Sequence, residues 1–153
     1  MKLPYEEGSV FLVPVRPNGF LRGVVTRSTS RGRVLVGYFF GPRVDEQRLA
    51  TVNDLDPQGA LARIRFGDLG LINGEWPILG KVERWDRTEW PTPDFVRRDP
   101  ISNKAWLIRY SDADPLRSTS ERLPNYDDFN VLGHDGLYGA GAAEAFLSKL
   151  LAS

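Results

Sequence analysis

The alternation of apolar and polar residues predicts antiparallel strands near the start of the chain. Residues 9–16 alternate between two faces, and one face carries Phe11, Val13 and Val15. The Pro17-Asn18-Gly19 sequence that follows is typical of a turn, so we expect a second strand from Phe20 to Arg27. Residues 32–40 are apolar on both faces, which predicts a buried strand at the centre of the sheet.

The middle of the chain gives weaker signals. The polar stretch after Gly41-Pro42 predicts at most a short strand near residues 48–52. Asp56-Pro57 could start a helix, but Leu61 to Phe66 alternates as a strand does, and we prefer the strand. Asn73-Gly74 separates two apolar runs, and both residues tolerate positive φ. We therefore expect a tight β-hairpin at these two residues.

The second half combines irregular connections with one clear strand and one helix. We expect a proline-punctuated connection from Trp85 to Pro100, a strand from Ala105 to Tyr110, and a loop from Ser111 to Gly141. Apolar residues then recur at helical spacing, at Ala143, Phe146, Leu147, Leu150 and Leu151. The predicted fold class is α+β: a strongly bent antiparallel β-sheet, with an SH3-like barrel portion in its first three strands, and a C-terminal helix that covers a sheet face.

The composition is that of a folded domain that needs no disulfide bond and no structural metal ion for its stability. Of 153 residues, 41% are apolar and none is cysteine, which excludes a disulfide framework and a thiolate zinc site. We expect one domain over residues 1–153. We also expect a cytoplasmic protein that does not enter a membrane, because the N-terminus lacks a signal-peptide pattern and no apolar run approaches ~18 residues.

The charges balance overall but are unevenly distributed. Residues 1–43 hold seven basic and two acidic residues, whereas residues 112–153 hold three basic and seven acidic residues. Either these segments neutralise each other in the fold, or they form a dipolar surface that attracts a charged partner. We favour the first interpretation.

Few side chains in this sequence can do chemistry. The one histidine, His134, precedes Asp135 in a glycine-flanked segment that would suit a general base. The sequence supplies no nucleophile and no set of metal ligands beside it. The glycine-rich segments 67–70 and 136–141 lack the Lys-Ser/Thr pair that follows a phosphate-binding loop. We therefore predict no catalytic residue, no metal and no cofactor.

One candidate surface for macromolecular contact is basic. Four arginines in and after the predicted N-terminal hairpin could touch phosphates, as in nucleic-acid-binding barrels: Arg22, Arg27, Arg31 and Arg33. The balanced total charge argues against a nucleic-acid partner.

The other candidate surface is acidic and aromatic. Such a surface is typical of a face that binds a basic protein, although a solvated loop is the alternative. The candidate contacts are Asp112, Asp114, Glu121, Tyr126, Asp127 and Asp128, beside Phe129. We add Trp90, which we expect to be partly exposed between Glu89 and Pro91.

Several motifs, taken in their order, resemble a known family. They are Gly8-Ser-Val-Phe-Leu-Val-Pro-Val15, Val34-Leu-Val-Gly-Tyr-Phe-Phe40, the run from Gly67 to Gly80, and Trp90-Pro-Thr-Pro-Asp-Phe95. These motifs are similar to those of the immunity protein 26 family of bacterial polymorphic toxin systems, over roughly residues 5–112. The resemblance implies a cytoplasmic protein that binds and neutralises a cognate toxin encoded beside it. It carries over no active-site residue.

Three functional hypotheses follow from these observations. The first is an immunity protein that neutralises a cognate toxin by steric occlusion, using the acidic and aromatic residues. The second is a nucleic-acid-binding β-barrel that uses the arginine-rich hairpin. The third is an enzyme centred on His134. The sequence leaves the toxin, the contact surface and the oligomeric state open.

Overall fold

A computed structural model of the chain describes residues 2–102, 104–122 and 135–152. Its strands are β1 (Ser9–Pro14), β2 (Phe20–Arg27), β3 (Val34–Val44), β4 (Ala62–Gly67), β5 (Ile78–Lys81), β6 (Phe95–Arg98), β7 (Ala105–Tyr110), β8 (Ser118–Arg122) and β9 (Leu137–Tyr138). Its α-helices are α1 (Leu69–Asn73) and α2 (Ala140–Ala152), and turns of 3₁₀-helix span Gln47–Leu49, Pro57–Gly59 and Arg87–Glu89. The α+β class is confirmed.

The strands form two sheets, whereas the sequence predicts one bent sheet. The larger sheet has the order β5-β1-β2-β3-β4-β9, and the smaller has the order β6-β7-β8. Neighbouring strands are antiparallel except β4 and β9, which run parallel. The larger sheet is curved, as predicted, and the described strands close no barrel.

The N-terminal strands follow the predicted pattern. β2 has the predicted bounds, and β3 lies at the centre of the larger sheet with its first seven residues buried. β1 and β2 pair through to Pro14 opposite Phe20, so the chain reverses where the turn was expected. That turn depends on Gly19, which has φ +86°. A Cβ on Gly19 would lie 2.9 Å from the carbonyl oxygen of Val44.

The prediction of a β-hairpin at Asn73-Gly74 is wrong, because these two residues form the end of a helix. The apolar run before it forms α1, and Gly74 ends this helix in the left-handed conformation, with φ +82°. A left-handed glycine suits a helix C-terminus as well as a hairpin turn, so the dipeptide alone does not separate the two. Packing favours the helix, because the indole of Trp76 rests directly on Gly70. A Cβ on Gly70 would lie 2.6 Å from that ring.

Other parts of the predicted secondary structure also need correction. The strand considered near residues 48–52 is replaced by the 3₁₀-turn Gln47–Leu49. β6 lies within the connection that we expected to be irregular, and β8 and β9 lie within the predicted loop from Ser111 to Gly141. The sequence gives no signal for β8 because all five of its residues are exposed, which leaves no apolar alternation to detect.

One face of the larger sheet is covered by helices, and we call it the helix face. It carries the main core, to which the strands and the turn after β1 contribute Phe11, Val13, Val15, Leu21, Val25, Leu35, Phe39, Ile64 and Phe66. Trp76 stacks on Phe11 with 5.8 Å between ring centroids. Ala143 and Leu147 of α2 pack into the same cluster, which confirms the predicted amphipathic helix.

The opposite face of the larger sheet is covered by two loops, residues 45–61 and 82–94, and we call it the loop face. Its buried residues are Val10, Val24, Tyr38, Phe40 and Trp90. The loop residues that pack on them include Val52, Leu55, Val82 and Trp85. This second core is smaller than the first and depends on irregular backbone.

A buried ionic cluster joins the two sheets. Asp135, whose side chain is 5% exposed, accepts hydrogen bonds from Arg97 Nε of β6 at 2.8 Å and from Arg65 Nη2 of β4 at 3.4 Å. The hydroxyl of Tyr110 on β7 also donates to Asp135. The Arg65 guanidinium lies 3.8 Å from the centroid of the Tyr110 ring. One carboxylate therefore ties β4 of the larger sheet to β6 and β7 of the smaller.

Candidate functional site

The acidic residues predicted to bind a partner are partly engaged inside the protein. Asp112 Oδ1 accepts from Thr92 Oγ1 at 2.8 Å and from Arg27 Nε at 3.1 Å. These contacts hold the pKa of the Asp112 carboxyl below its ordinary value, and the hydrogen bond from Thr92 has the largest effect. The Asp112 side chain remains 62% exposed. It can meet a partner, but it already has a structural role.

Two other predicted acids also have internal partners. Asp114 accepts from the backbone N–H of Leu116 at 3.0 Å and so shapes the turn before β8. Glu121 on β8 accepts from Arg97 Nη1 at 3.4 Å. The remaining predicted contacts, Tyr126, Asp127 and Asp128, lie outside the described residues, as do Phe129 and His134. Whether these residues join the exposed acids in one face stays a prediction.

The expectation that Trp90 is partly exposed is wrong. Its side chain is 2% exposed and packs against Tyr38, with ring centroids 5.3 Å apart. The Tyr38 hydroxyl donates to the carbonyl oxygen of Pro91 at 2.5 Å, which draws this segment onto the sheet. Trp90 therefore supports the surface from below and does not present a contact of its own.

The arginine-rich hairpin offers less basic surface than its sequence predicts. Arg22 is buried and donates from Nη1 to Asp54 Oδ1 at 2.8 Å. Arg27 is buried and bonded to Asp112, so charges from the N-terminal and C-terminal segments meet directly. Only Arg31 and Arg33 of the four arginines are exposed. This arrangement supports internal neutralisation and removes two of the proposed phosphate contacts.

The acid beside His134 has a structural role. Both carboxylate oxygens of Asp135 are used in the ionic cluster, and the Asp135 backbone N–H donates to Val96 O at 2.7 Å. The described ranges contain no group of three or more His, Cys, Asp or Glu residues that could hold a metal ion.

Side chains of the sheet hold the two loops that cover the loop face. Arg22 fixes the first loop through Asp54, and this guanidinium holds the pKa of the Asp54 carboxyl below its ordinary value. Arg63 Nη2 donates to the carbonyl oxygen of Pro57 in the same loop at 3.0 Å. The hydrogen bond from Tyr38 to Pro91 fixes the second loop. Both loops are thus anchored before any partner arrives.

Two adjacent hollows open between these anchored loops. The first, about 390 Å³, has apolar residues at its base, Val52, Leu55 and Val82 beside Trp90, and charged residues at its edge, Glu83, Arg84 and Glu89. The second, about 540 Å³, is lined by Tyr38, Arg63, Pro91 and Pro93. Pro57 and Glu89 line both hollows, so they form one continuous surface feature. Apolar residues beside charged ones suit the binding of a side chain that has an apolar stem and a charged end.

Comparison with known proteins identifies the family. The immunity protein 26 model matches residues 6–107, two thirds of the chain. The chain belongs to the immunity protein 26 family. This confirms the resemblance seen in the motifs. No curated protein and no solved structure matches the chain.

The two hollows lie inside the region that the immunity protein 26 model matches, whereas the predicted acidic contacts lie outside it. Every residue that lines the hollows lies between positions 38 and 93, inside the matched region. The predicted acidic contacts start at Asp112, beyond it. Sequence reasoning missed the hollows because their walls come from separate loops and strands that no periodicity links. As a separate finding, none of the helices described is long and apolar enough to cross a bilayer.

Proposed function

We propose that this protein confers immunity by binding a cognate toxin and covering the surface that the toxin needs for its activity. Membership of the immunity protein 26 family is the observation that carries this proposal. The anchored loops of the loop face support it, because a surface that is ordered before binding loses less conformational entropy when a partner docks. Steric occlusion of this kind requires no reactive side chain.

The proposal extends to the biological setting. We infer that the protein acts in the cytoplasm of the cell that makes the toxin, as part of a polymorphic toxin system. The toxin is then the product of a neighbouring coding region, and its toxic activity resides in a domain that this chain recognises.

Co-expression tests the proposed function directly. The candidate toxin domain encoded beside this gene is expressed in a sensitive bacterium alone and together with this chain. We expect growth arrest in the first case and growth in the second, and a complex of the purified proteins on gel filtration. Continued growth arrest despite stable expression of the chain would contradict the proposal.

Titration separates occlusion from enzymatic inactivation of the toxin. If the chain acts by occupying a surface, toxin activity falls linearly with added chain and reaches zero at a fixed molar ratio. If the chain were an enzyme, a small fraction of that amount would suffice given time. Inactivation at far below stoichiometric amounts would therefore overturn the occlusion mechanism.

The acidic C-terminal residues remain a proposed contact surface, and Asp127 and Asp128 are the best positions at which to test it. Asp112 and Glu121 are poor test positions because their substitution also breaks internal bonds to Arg27 and Arg97. We expect Asp127→Lys combined with Asp128→Lys to weaken toxin capture if these residues face a basic toxin surface. Normal capture by this double variant would remove the surface and leave the immunity function in place.

A further inference from the structure

We propose that the first hollow of the loop face is a docking point for the toxin and that it takes a lysine or arginine side chain from the toxin surface. This inference rests on the proposed function and names the chemistry of the contact. It assigns the recognition of a basic group to Glu83 and Glu89, which lie well before the acidic segment predicted from sequence.

The base of the first hollow fits the stem of a long basic side chain. Val52, Leu55 and Val82 are partly buried there and pack against the second core, and Trp90 closes the hollow from below. Lysine and arginine carry three or four methylene groups that bury on apolar surface while the charged end stays at the rim. The hollow therefore offers an apolar base for the stem beside a polar rim for the charge.

The rim of the first hollow fits the positive charge. Glu83 and Glu89 are exposed, and neither carboxylate has a hydrogen bond or ion pair within the described part of the chain. Arg84 is the one cationic residue in the lining, so the lining carries a net charge of −1. A cation from a partner would satisfy these carboxylates and be drawn to them during association.

Several other acidic residues of the protein are paired with arginines, unlike Glu83 and Glu89. Asp54 is bonded to Arg22, Asp112 to Arg27, and Asp135 to two arginines. Their carboxylates balance buried guanidinium groups and hold the fold together. Glu83 and Glu89 balance no such group in the described structure, so their charges are available to a partner.

The test measures toxin binding by a matched pair of double variants. In Glu83→Gln with Glu89→Gln, the rim keeps its shape and loses both charges. In the control, Glu6→Gln with Glu75→Gln, two exposed carboxylates that line neither hollow are neutralised. The probe is the neighbouring-gene toxin domain that the unmodified chain neutralises. Binding is measured by calorimetry at low and high salt, and melting temperatures verify that every variant is folded.

We expect the rim variant to bind the toxin about tenfold more weakly or worse, and the control to bind within about twofold of the unmodified chain. The affinity of the rim variant should also fall less steeply with salt, because fewer charges take part. Equal affinity of the rim variant and the unmodified chain would overturn the inference. Equal weakening by the control would also overturn it, because total charge and not the hollow would then determine binding.

A charge swap identifies the occupant. In Glu83→Lys with Glu89→Lys, the rim becomes basic, and toxin binding should be lost. Toxin variants that restore binding are then selected from a library in which surface lysines and arginines are changed to glutamate. Recovery through one such position supports the proposed occupant, and failure of every position to restore binding counts against it. Failure of the unmodified chain to bind any toxin would instead contradict the proposed function itself.

Discussion

The two faces of the larger sheet are built by different means. The helix face is covered by α1 and α2 and is packed with aromatic and aliphatic side chains, among them the stacked pair Phe11 and Trp76. The loop face has a smaller apolar cluster, and its cover is held by hydrogen bonds and ion pairs from Arg22, Arg63 and Tyr38. The loops that cover the loop face leave two hollows at the surface.

We infer from this difference that the helix face mainly stabilises the fold and that the loop face is the better surface for contact with a partner. Apolar packing is the dominant stabilising contribution in folded proteins, so the helix face should carry most of the folding free energy. Polar anchors fix the position of a loop while leaving parts of its surface open to a partner. The loop face can therefore vary its exposed residues at low cost to the fold, as a surface that recognises a partner requires.

The largest expected effect comes from removing an aromatic ring on the helix face. Phe11 is fully buried, and Phe11→Ala should lower the free energy of unfolding by about 4 kcal/mol, because it removes apolar contacts and leaves a cavity. Leu55→Ala on the loop face should cost about 1 kcal/mol, since Leu55 is only partly buried. Urea unfolding measures both values, and similar losses at the two positions would contradict the comparison.

A smaller but still large effect is expected at the junction of the two sheets. Asp135→Asn should lower the free energy of unfolding by about 3 kcal/mol, because it removes the charge that compensates buried Arg65. Glu121→Gln is the matched control, since Glu121 also bonds Arg97 but lies exposed, and it should change stability by less than about 0.5 kcal/mol. Equal effects in thermal or urea unfolding would show that burial of the carboxylate is unimportant.

Two glycine substitutions should have opposite signs. Gly70→Ala in α1 should destabilise the protein by about 1–2 kcal/mol, because the new methyl group would meet the Trp76 ring at 2.6 Å. Gly141→Ala in α2 should stabilise it by about 0.5 kcal/mol, because nothing lies within 4 Å of the new Cβ and alanine favours helix. Differential scanning calorimetry checks the signs, and a gain in stability from Gly70→Ala would contradict the described packing of Trp76.

The smallest effect concerns the pH dependence of the loop face. Arg22 lowers the pKa of Asp54, so ionised Asp54 contributes stability above its unfolded pKa of about 3.9. That contribution is lost as the pH falls through the lower, folded pKa. In Asp54→Asn the fall in unfolding free energy between pH 5 and pH 2 should be less steep than in the unmodified chain. Identical slopes in urea titrations would show that this ion pair does not contribute.

Sequence patterns predicted the elements in which burial alternates or is continuous. β2 and β7 were predicted with the bounds that the structure has, and the apolar stripe of α2 identified its packed side. The hairpin at Asn73-Gly74 was wrong because a left-handed glycine serves more than one kind of chain reversal. β8 carries no apolar pattern, and β9 has only two residues, so neither could be detected from periodicity.

The candidate site was less predictable than the fold. Exposure of Trp90 was inferred from its polar and proline neighbours, but its position is set by Tyr38, which lies far away in sequence. The first hollow forms where residues 52–57 meet residues 82–90. The pairing of β1 with β5, the anchors from the sheet and apolar packing on the second core bring these segments together, and no local pattern encodes that meeting.

The position of α2 in the core has a consequence for synthesis in the cell. Leu147 is fully buried against strands that begin as early as Ser9, and Glu144 accepts a hydrogen bond from the Trp76 indole. On the ribosome, the apolar cluster around Phe66 and Trp76 lacks the contribution of α2 until residue 147 has emerged from the exit tunnel. The complete core therefore forms only after α2 has been translated. A product that ended at residue 107, where the match to the immunity protein 26 model ends, would lack α2 and would expose aromatic surface to chaperones and proteases.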